Sequence, residues 1–287
     1  MKILIMGDLH YTAELVNSDE GLETARDAFY EGYLQQFLSV EADYYISVGD
    51  LTHAGLPSEF EFILSRVRSA LPEGRFMFVL GNHDTYNLSK SDIERLTGQP
   101  RYLAIDLEEA TLVLLDTARI VQDNWGGTLD DEQLDWLSGL TSRSGSKPMI
   151  VIAHHPVYGT TARSTEPMFS VEPPIDLLSI LAAHQGPGFY VNGHNHVRST
   201  VQNGRWHFIQ TASVTDVPSA ILLELQGDRV TIENIPLRTA FDRERLERFV
   251  PAMYDYDPRL DAEGDGEDGR RTLPLAEREK EARRHDR

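Results

Sequence analysis

The sequence has no cysteine in its 287 residues, which excludes disulfides and thiolate metal sites. It is short of basic residues. Lys and Arg number 27 against 46 Asp and Glu, for a formal net charge of -19. A nucleic-acid partner is therefore not expected, because a phosphate backbone calls for a basic surface. A small anionic substrate stays open, since a local cationic site can overrule the global charge. No apolar run approaches membrane-crossing length. The opening stretch, Lys2 to Met6, is too short for a signal-peptide core and is soon interrupted by Asp8. A membrane partner is thus not expected, and a cytoplasmic protein is.

What is present is an ordinary apolar fraction of 40%, enough for a sizeable core in one large domain or two small ones. The first two-thirds repeats one pattern: a short β-branched or aromatic run, a polar loop, then a helical stretch. Lys2 to Met6, Tyr44 to Val48 and Phe76 to Leu80 read as strands. So do Thr111 to Leu115, Met149 to Ala153 and Phe189 to Val191. Helical spacing fills Gly21 to Ser39, Pro57 to Ala70, Asp130 to Leu140 and Ile175 to His184. This alternation predicts an α/β fold with largely parallel strands buried on both faces.

After residue 196 the style changes. Thr200 to Val201, Trp206 to Thr211, Ala220 to Leu225 and Val230 to Ile235 read as strands. Asn203-Gly204 and Gly227-Asp228 supply turns between them. They are expected to form antiparallel hairpins completing a second sheet. Residues 1–236 then form the catalytic domain and 237–287 a C-terminal extension. That extension is expected to be largely disordered after about 255, with a short helix after Leu275, because it is charged and poor in apolar residues.

The chemistry lies at the ends of the strands. The first is followed by Asp8-Leu9-His10, the second by Gly49-Asp50 and the third by Gly81-Asn82-His83-Asp84. The strand at 149 leads into His154-His155-Pro156, and the strand at 189 into Gly193-His194-Asn195-His196. In a parallel sheet these ends share one rim, where open α/β proteins bind ligands. Six of the ten histidines fall in these segments, so the rim concentrates metal-binding side chains. Taken singly, each piece has a plainer reading as a turn, a helix cap or a side-chain-stabilised loop. Chance does not readily supply all five in this order, each after a strand.

The ordered set Asp8-x-His10, Gly49-Asp50, Gly81-Asn82-His83-Asp84, His154 and Gly193-His194-x-His196 resembles the calcineurin-like metallophosphoesterases. Within them it is most similar to bacterial class III cyclic-nucleotide phosphodiesterases and the related glycerophosphodiesterases. The resemblance spans about residues 1–236 and implies a four-layer αββα sandwich, with two mixed sheets and a dinuclear metal site at the strand C-terminal ends. By that resemblance Asp8, His10 and His196 hold one metal, Asn82, His154 and His194 hold the other, and Asp50 bridges them. His154 is the ligand of its pair because the family's His stands two before the Pro.

The chemistry of this set is coherent. Nitrogen and oxygen ligands suit two divalent ions of Mn, Fe, Zn or Co. One bridging carboxylate can hold ions about 3.5–4 Å apart. Two such ions bring four positive charges, Asp8 and Asp50 return two, and about two are left to stabilise hydroxide and phosphate oxygens. The implied reaction is attack of metal-bound hydroxide on phosphorus. His83 is the expected general acid, and Asp84 is expected to orient it.

Several neighbours stay open. His53 either faces the pocket or caps the next helix. His155 is structural or near the substrate. Tyr11, Tyr158 and Arg198 either line the pocket or pack and solvate. His184, His207 and His285 are read as non-functional. The substrate is expected to be a small diester such as a cyclic nucleotide or glycerophosphodiester. Arg198 is the only cation beside the motifs, and a monoester's extra charge would want one more. The rivals on the same centre are a phosphomonoesterase, a nucleotide pyrophosphatase and a nuclease, the last lacking a basic groove. A non-catalytic module of the same fold would be expected to have lost ligands, and none is missing here. A two-zinc hydrolase of the metallo-β-lactamase kind would need a His-x-His-x-Asp-His run, which is absent. Homo-oligomerisation is a further expectation, with Pro236 to Arg259 as the pairing region.

Overall fold

In the computed structural model, which describes residues 1–120, 123–239, 242–264 and 270–275, strand β1 (Lys2–Met6) sends Ile3 and Ile5 to one face and Leu4 and Met6 to the other. All four are fully buried, so both faces of the strand must be covered. Next come α1 (Glu20–Ser39), β2 (Tyr44–Ser47), α2 (Pro57–Ala70), β3 (Phe76–Phe78), α3 (Lys90–Thr97), β4 (Leu103–Asp106) and β5 (Thr111–Leu114). The chain continues with α4 (Asp131–Arg143), β6 (Met149–Ile152), α5 (Leu177–Ala182), β7 (Gly188–Asn192), β8 (Ser199–Asn203) and β9 (Trp206–Gln210). It closes with β10 (Ser219–Gln226), β11 (Arg229–Pro236), α6 (Asp242–Phe249) and β12 (Arg270–Pro274). Helix starts are legible in the sequence. Asp19, Ser89, Asp130 and Asp176 each accept a backbone N–H three residues on, and Pro57 opens α2.

Two six-stranded sheets result, in the orders β12-β11-β10-β1-β2-β3 and β4-β5-β6-β7-β9-β8. Both are mixed. β1, β2 and β3 run parallel while β10 to β12 are antiparallel, and β5, β6, β7 and β9 run parallel between antiparallel β4 and β8. Ile3, Ile5, Ile46 and Val48 meet Leu112, Ile150, Ile152 and Val191 between the sheets. Leu4 and Met6 pack outward on Phe29, Phe37 and Phe60 of α1 and α2. Val113, Met149 and Val151 pack on Leu137, Leu177 and Leu181 of α4 and α5. The layers are thus helix, sheet, sheet, helix. Among the described residues no helix is long and apolar enough to cross a membrane.

One expectation needs correction. The late hairpins do not complete one sheet but divide between both. β10 carries buried Ala220, Ile221, Leu223 and Leu225 and takes the interior place beside β1, whereas half-exposed β8 becomes an edge. The extension, expected to be largely disordered after about 255, is ordered at some of its described residues. Arg270–Pro274 forms an edge strand on β11, and Leu273 and Leu275 pack against the core between the sheets. One short ladder and two leucines give no periodicity that composition reveals. The helix expected after Leu275 and His285 lie outside the described residues. In the region expected to pair subunits, Phe249, Val250 and Met253 are buried in the core beside α1.

Candidate metal centre

The strand ends are drawn together by glycines that permit contact no side chain would allow. A Cβ on Gly193 would lie 2.0 Å from Asp8 Oδ1, and one on Gly81 would lie 2.1 Å from Asp50 Oδ1. The backbone is strained at the same places. His10 (φ 48), Asp50 (φ 44), His194 (φ 71) and His196 (φ 56) all adopt the left-handed region. Each such residue costs roughly 1–3 kcal/mol, and strain of this kind collects at working sites.

All seven expected ligands are brought together, in two sets. In one, His154 Nε2 lies 3.1 Å from His194 Nδ1, 3.2 Å from Asn82 Oδ1 and 3.3 Å from Asp50 Oδ2. The far nitrogens of both rings face carbonyls: His154 Nδ1 meets Val48 O and His194 Nε2 meets Met168 O, each at 3.0 Å. A carbonyl only accepts, so in the neutral rings those nitrogens carry the protons and the facing nitrogens present lone pairs. Asn82 Nδ2 donates to Tyr86 Oη at 3.2 Å, which turns its oxygen inward. Four acceptors therefore converge, and only positive charge among them relieves their repulsion.

The other set is built alike. His10 Nε2 lies 3.1 Å from His196 Nε2 and 3.6 Å from Asp50 Oδ2, and His196 Nε2 lies 3.2 Å from Asp8 Oδ2. Asp8 Oδ1 is buried without a hydrogen-bond partner. Asp50 Oδ2 is thus common to both sets, while its Oδ1 accepts from the His83 amide at 2.8 Å.

Charge points the same way. Burial works against charge on His154, but the Asp50 and Asp8 carboxylates outweigh it and raise its pKa to about 9. On His196, burial is likewise outweighed by Asp216 and Asp8, and the pKa rises to about 10. Burial and the His154 neighbour push His194 down to about 3, and burial with His83 holds His10 well below the ordinary value. Burial would raise Asp50, yet His154 and His83 hold it well below the usual carboxylate range. Each set draws in one positive charge. A divalent cation on these oxygen and nitrogen donors fits that demand.

Asp84 does not orient His83, contrary to expectation. Its oxygens accept from the backbone amides of Thr52 (2.9 Å) and Gly81 (2.9 Å) and from Thr52 Oγ1 (2.7 Å). Asp84 is buried on a single 3₁₀ turn and faces the loop after β2, so it braces the Asp50 loop. His83 is held instead by the carbonyl of His53, 2.6 Å from its Nδ1.

The open neighbours now have places. His53 does not cap α2. It is buried against His10, with ring centroids 5.4 Å apart. His155 is fully buried between Thr117 Oγ1 and the Trp125 carbonyl, both at 2.9 Å, with its ring against His194. Tyr11 stacks on Phe62 at 3.8 Å, and Tyr158 is exposed. Arg198 donates to Ser219 Oγ at 2.8 Å. His184 packs by Trp206, and His207 stacks on Phe189.

Two neighbours of the centre were not anticipated. Asp216 Oδ2 lies 3.5 Å from His196 Nδ1, and the Tyr256 ring sits 5.3 Å from His10 and 5.8 Å from His196. Asp216 comes after β9 at the same rim and shares the signal of the other motifs. Tyr256 stands in a segment whose composition carries none.

The family model describing calcineurin-like phosphoesterases matches residues 1–198, which holds all seven of these residues. The chain belongs to that family. The family is one of phosphoester hydrolases that use divalent metal ions, and the His and Asp clusters of this calcineurin-like phosphoesterase fit such a site. Among solved structures, the chain is similar to a dimetal phosphatase from Danio rerio, at 16% identity and a TM-score of 0.64 over 83% of this chain and 96% of that one. It is also similar to GAP50, the anchor in the inner membrane complex of Plasmodium, at 12% identity and a TM-score of 0.53 over 83% and 85%. At these identities the likeness is one of fold. No curated protein matches the chain.

Proposed function

We propose that this calcineurin-like phosphoesterase is a two-metal phosphodiesterase for a small substrate, such as a cyclic nucleotide or a glycerophosphodiester. The observation that carries the reading is the place of Asp50 Oδ2, 3.6 Å from His10 Nε2 and 3.3 Å from His154 Nε2, at the junction of two acceptor sets. Asp8, His10 and His196 would hold one ion, Asn82, His154 and His194 the other, with Asp50 shared. When bound, two divalent ions supply charge against the phosphoryl oxygens and lower the pKa of water.

The chain supplies the rest. The His53 carbonyl fixes a proton on His83 Nδ1, so the proton that leaves for the ester oxygen comes from Nε2 of the imidazolium. The bond from its amide to Asp50 Oδ1 keeps that ring in register with the centre. A diester carries one negative charge at phosphorus. Arg198, the cation nearest the motifs in sequence, donates to Ser219 Oγ, and the second charge of a monoester would call for a cation at phosphorus.

The test is to strip the protein with chelator and restore Mn, Fe, Zn or Co singly. Each form is assayed on bis-p-nitrophenyl phosphate, p-nitrophenyl phosphate, cyclic AMP and glycerophosphocholine. Metal-dependent turnover of diesters over the monoester is expected. Preference for the monoester would replace the reading with a phosphomonoesterase. Two bound ions with no turnover of any ester would favour a binding module.

A further inference from the structure

The four ring ligands are backed in different ways. His154 and His194 lean on the carbonyls of Val48 and Met168, both within the stretch the family model matches. The rings on the other side, His10 and His196, are backed from beyond residue 198 or through it. His196 Nδ1 faces Asp216 Oδ2, and the other oxygen of Asp216 accepts from the Arg259 amide at 3.2 Å. His10 is the one imidazole of the four whose far nitrogen faces another imidazole: its Nδ1 lies 3.4 Å from His53 Nδ1.

Two nitrogens in contact cannot both carry protons, so the direction of this bond is decided elsewhere. His53 Nε2 lies 2.5 Å from the carbonyl oxygen of Tyr254. That oxygen only accepts, so neutral His53 carries its proton on Nε2 and offers a lone pair at Nδ1. His10 must then donate from Nδ1, which leaves its Nε2 lone pair aimed at the junction with His196 and Asp50. The Tyr254 carbonyl is itself presented by a strained turn, with Asp255 at φ 53. Next in sequence, Tyr256 anchors the segment by hydrogen bonds to Ser213 Oγ at 3.0 Å and to Thr215 Oγ1.

We propose that His53 is a positioning residue for His10, and that the Tyr254 carbonyl of the C-terminal strap sets it, so that residues 254–259 govern the ion held by Asp8, His10 and His196 and leave the other ion untouched. The inference rests on the two-metal reading and deepens it. A partner behind a metal-bound histidine fixes its tautomer, and its loss typically costs about 10–100-fold in metal affinity. Here that partner is a side chain whose own orientation is lent by chain outside the family match.

The experiment titrates the full-length metal-free protein with Co(II) alone, reading heat and visible absorbance, with thermal melting to verify folding. Wild type is expected to bind two ions. His53→Ala should weaken one of them by roughly 10–100-fold and leave the second unchanged. His53→Gln, whose amide has both a donor and an acceptor, should recover part of the loss. Asp255→Pro fixes φ near about -65° and cannot form the turn, whereas Asp255→Gly can. The first should weaken the same ion and the second should not, which keeps the inference testable if His53→Ala fails to fold. Nitrogen shifts of histidine-labelled metal-free protein should show His10 protonated on Nδ1 in wild type and a mixture of tautomers in His53→Ala. Two ions bound with wild-type affinity in both His53→Ala and Asp255→Pro would overturn the inference and leave the two-metal reading standing. Fewer than two ions in wild type would sink the two-metal reading itself.

Discussion

The main-chain amide of His83 donates to Asp50 Oδ1 at 2.8 Å. One oxygen of the carboxylate is thereby spent on positioning the expected general acid, and only Oδ2 remains to face the two acceptor sets. The position of the ring that would deliver the proton and the position of the shared carboxylate are one constraint.

Asp50→Asn tests that constraint. The amide keeps the size but removes the charge both sets share. We expect bound metal to fall from two equivalents toward none after dialysis. Turnover should fall by more than the roughly 10–100-fold that loss of an outer partner costs. Metal analysis by mass spectrometry checks it, and an Asn variant with full metal content would count against a shared ligand.

His83→Ala should separate metal binding from proton delivery. Both ions should remain while turnover drops by about 10²–10⁴-fold. The loss should be largest for alkyl leaving groups, which need the proton, and smallest for p-nitrophenolate, which hardly does. Equal losses on both kinds of ester would argue that His83 acts on phosphate charge instead.

Glu59 is fully buried and accepts from the amides of Ala13 (2.9 Å), Ala54 (2.9 Å) and Leu56 (3.2 Å). It ties the loop after β1 to the loop that carries His53. In Glu59→Gln, one of these amides meets an NH₂ group, and the cost should be about 1–3 kcal/mol. Denaturant unfolding of the stripped protein measures it.

His184 is buried, with Nδ1 at 2.7 Å from Ser144 Oγ. Burial lowers its pKa in the folded protein. The unfolded chain therefore binds the proton more readily, and stability is lost as pH falls below the ordinary histidine value of about 6.5. His184→Gln should make the decline between about pH 7 and pH 5 shallower. An unchanged slope in urea titrations at several pH values would assign the decline to the other buried histidines.

Much of this centre is legible in the sequence because its parts stand directly after strands. Asp8, Asp50, Asn82, His154 and His194 each come after an apolar run that ends at one rim, so topology alone predicts their meeting. Helix limits such as Pro57 to Ala70 are equally plain, since proline marks the start. Side-chain direction within a motif is not legible. Asp84 comes directly after His83, yet a 3₁₀ turn sends its carboxylate to Thr52 and Gly81. Nor does local pattern say which open edge a late hairpin will choose. β10 joins β1 because it is apolar on both faces and β1 has an unpaired side, a match between segments over 200 residues apart. Tyr256 is silent for the same reason, because its contacts are all long-range.

The pairing of β1 with β10 has a consequence for how the protein is made. β1 has its neighbour on one side only in residues 219–226, far later in the chain, and Val214 N and Ser213 Oγ, just before them, hold the carbonyl of Asp8. Non-local pairing of this kind is slow and leaves an apolar edge open meanwhile. During synthesis the nascent chain carries that edge, and an unfinished centre, until residues 219–226 emerge. A chaperone that shields β1 would therefore act early, and the centre would take up its ions late.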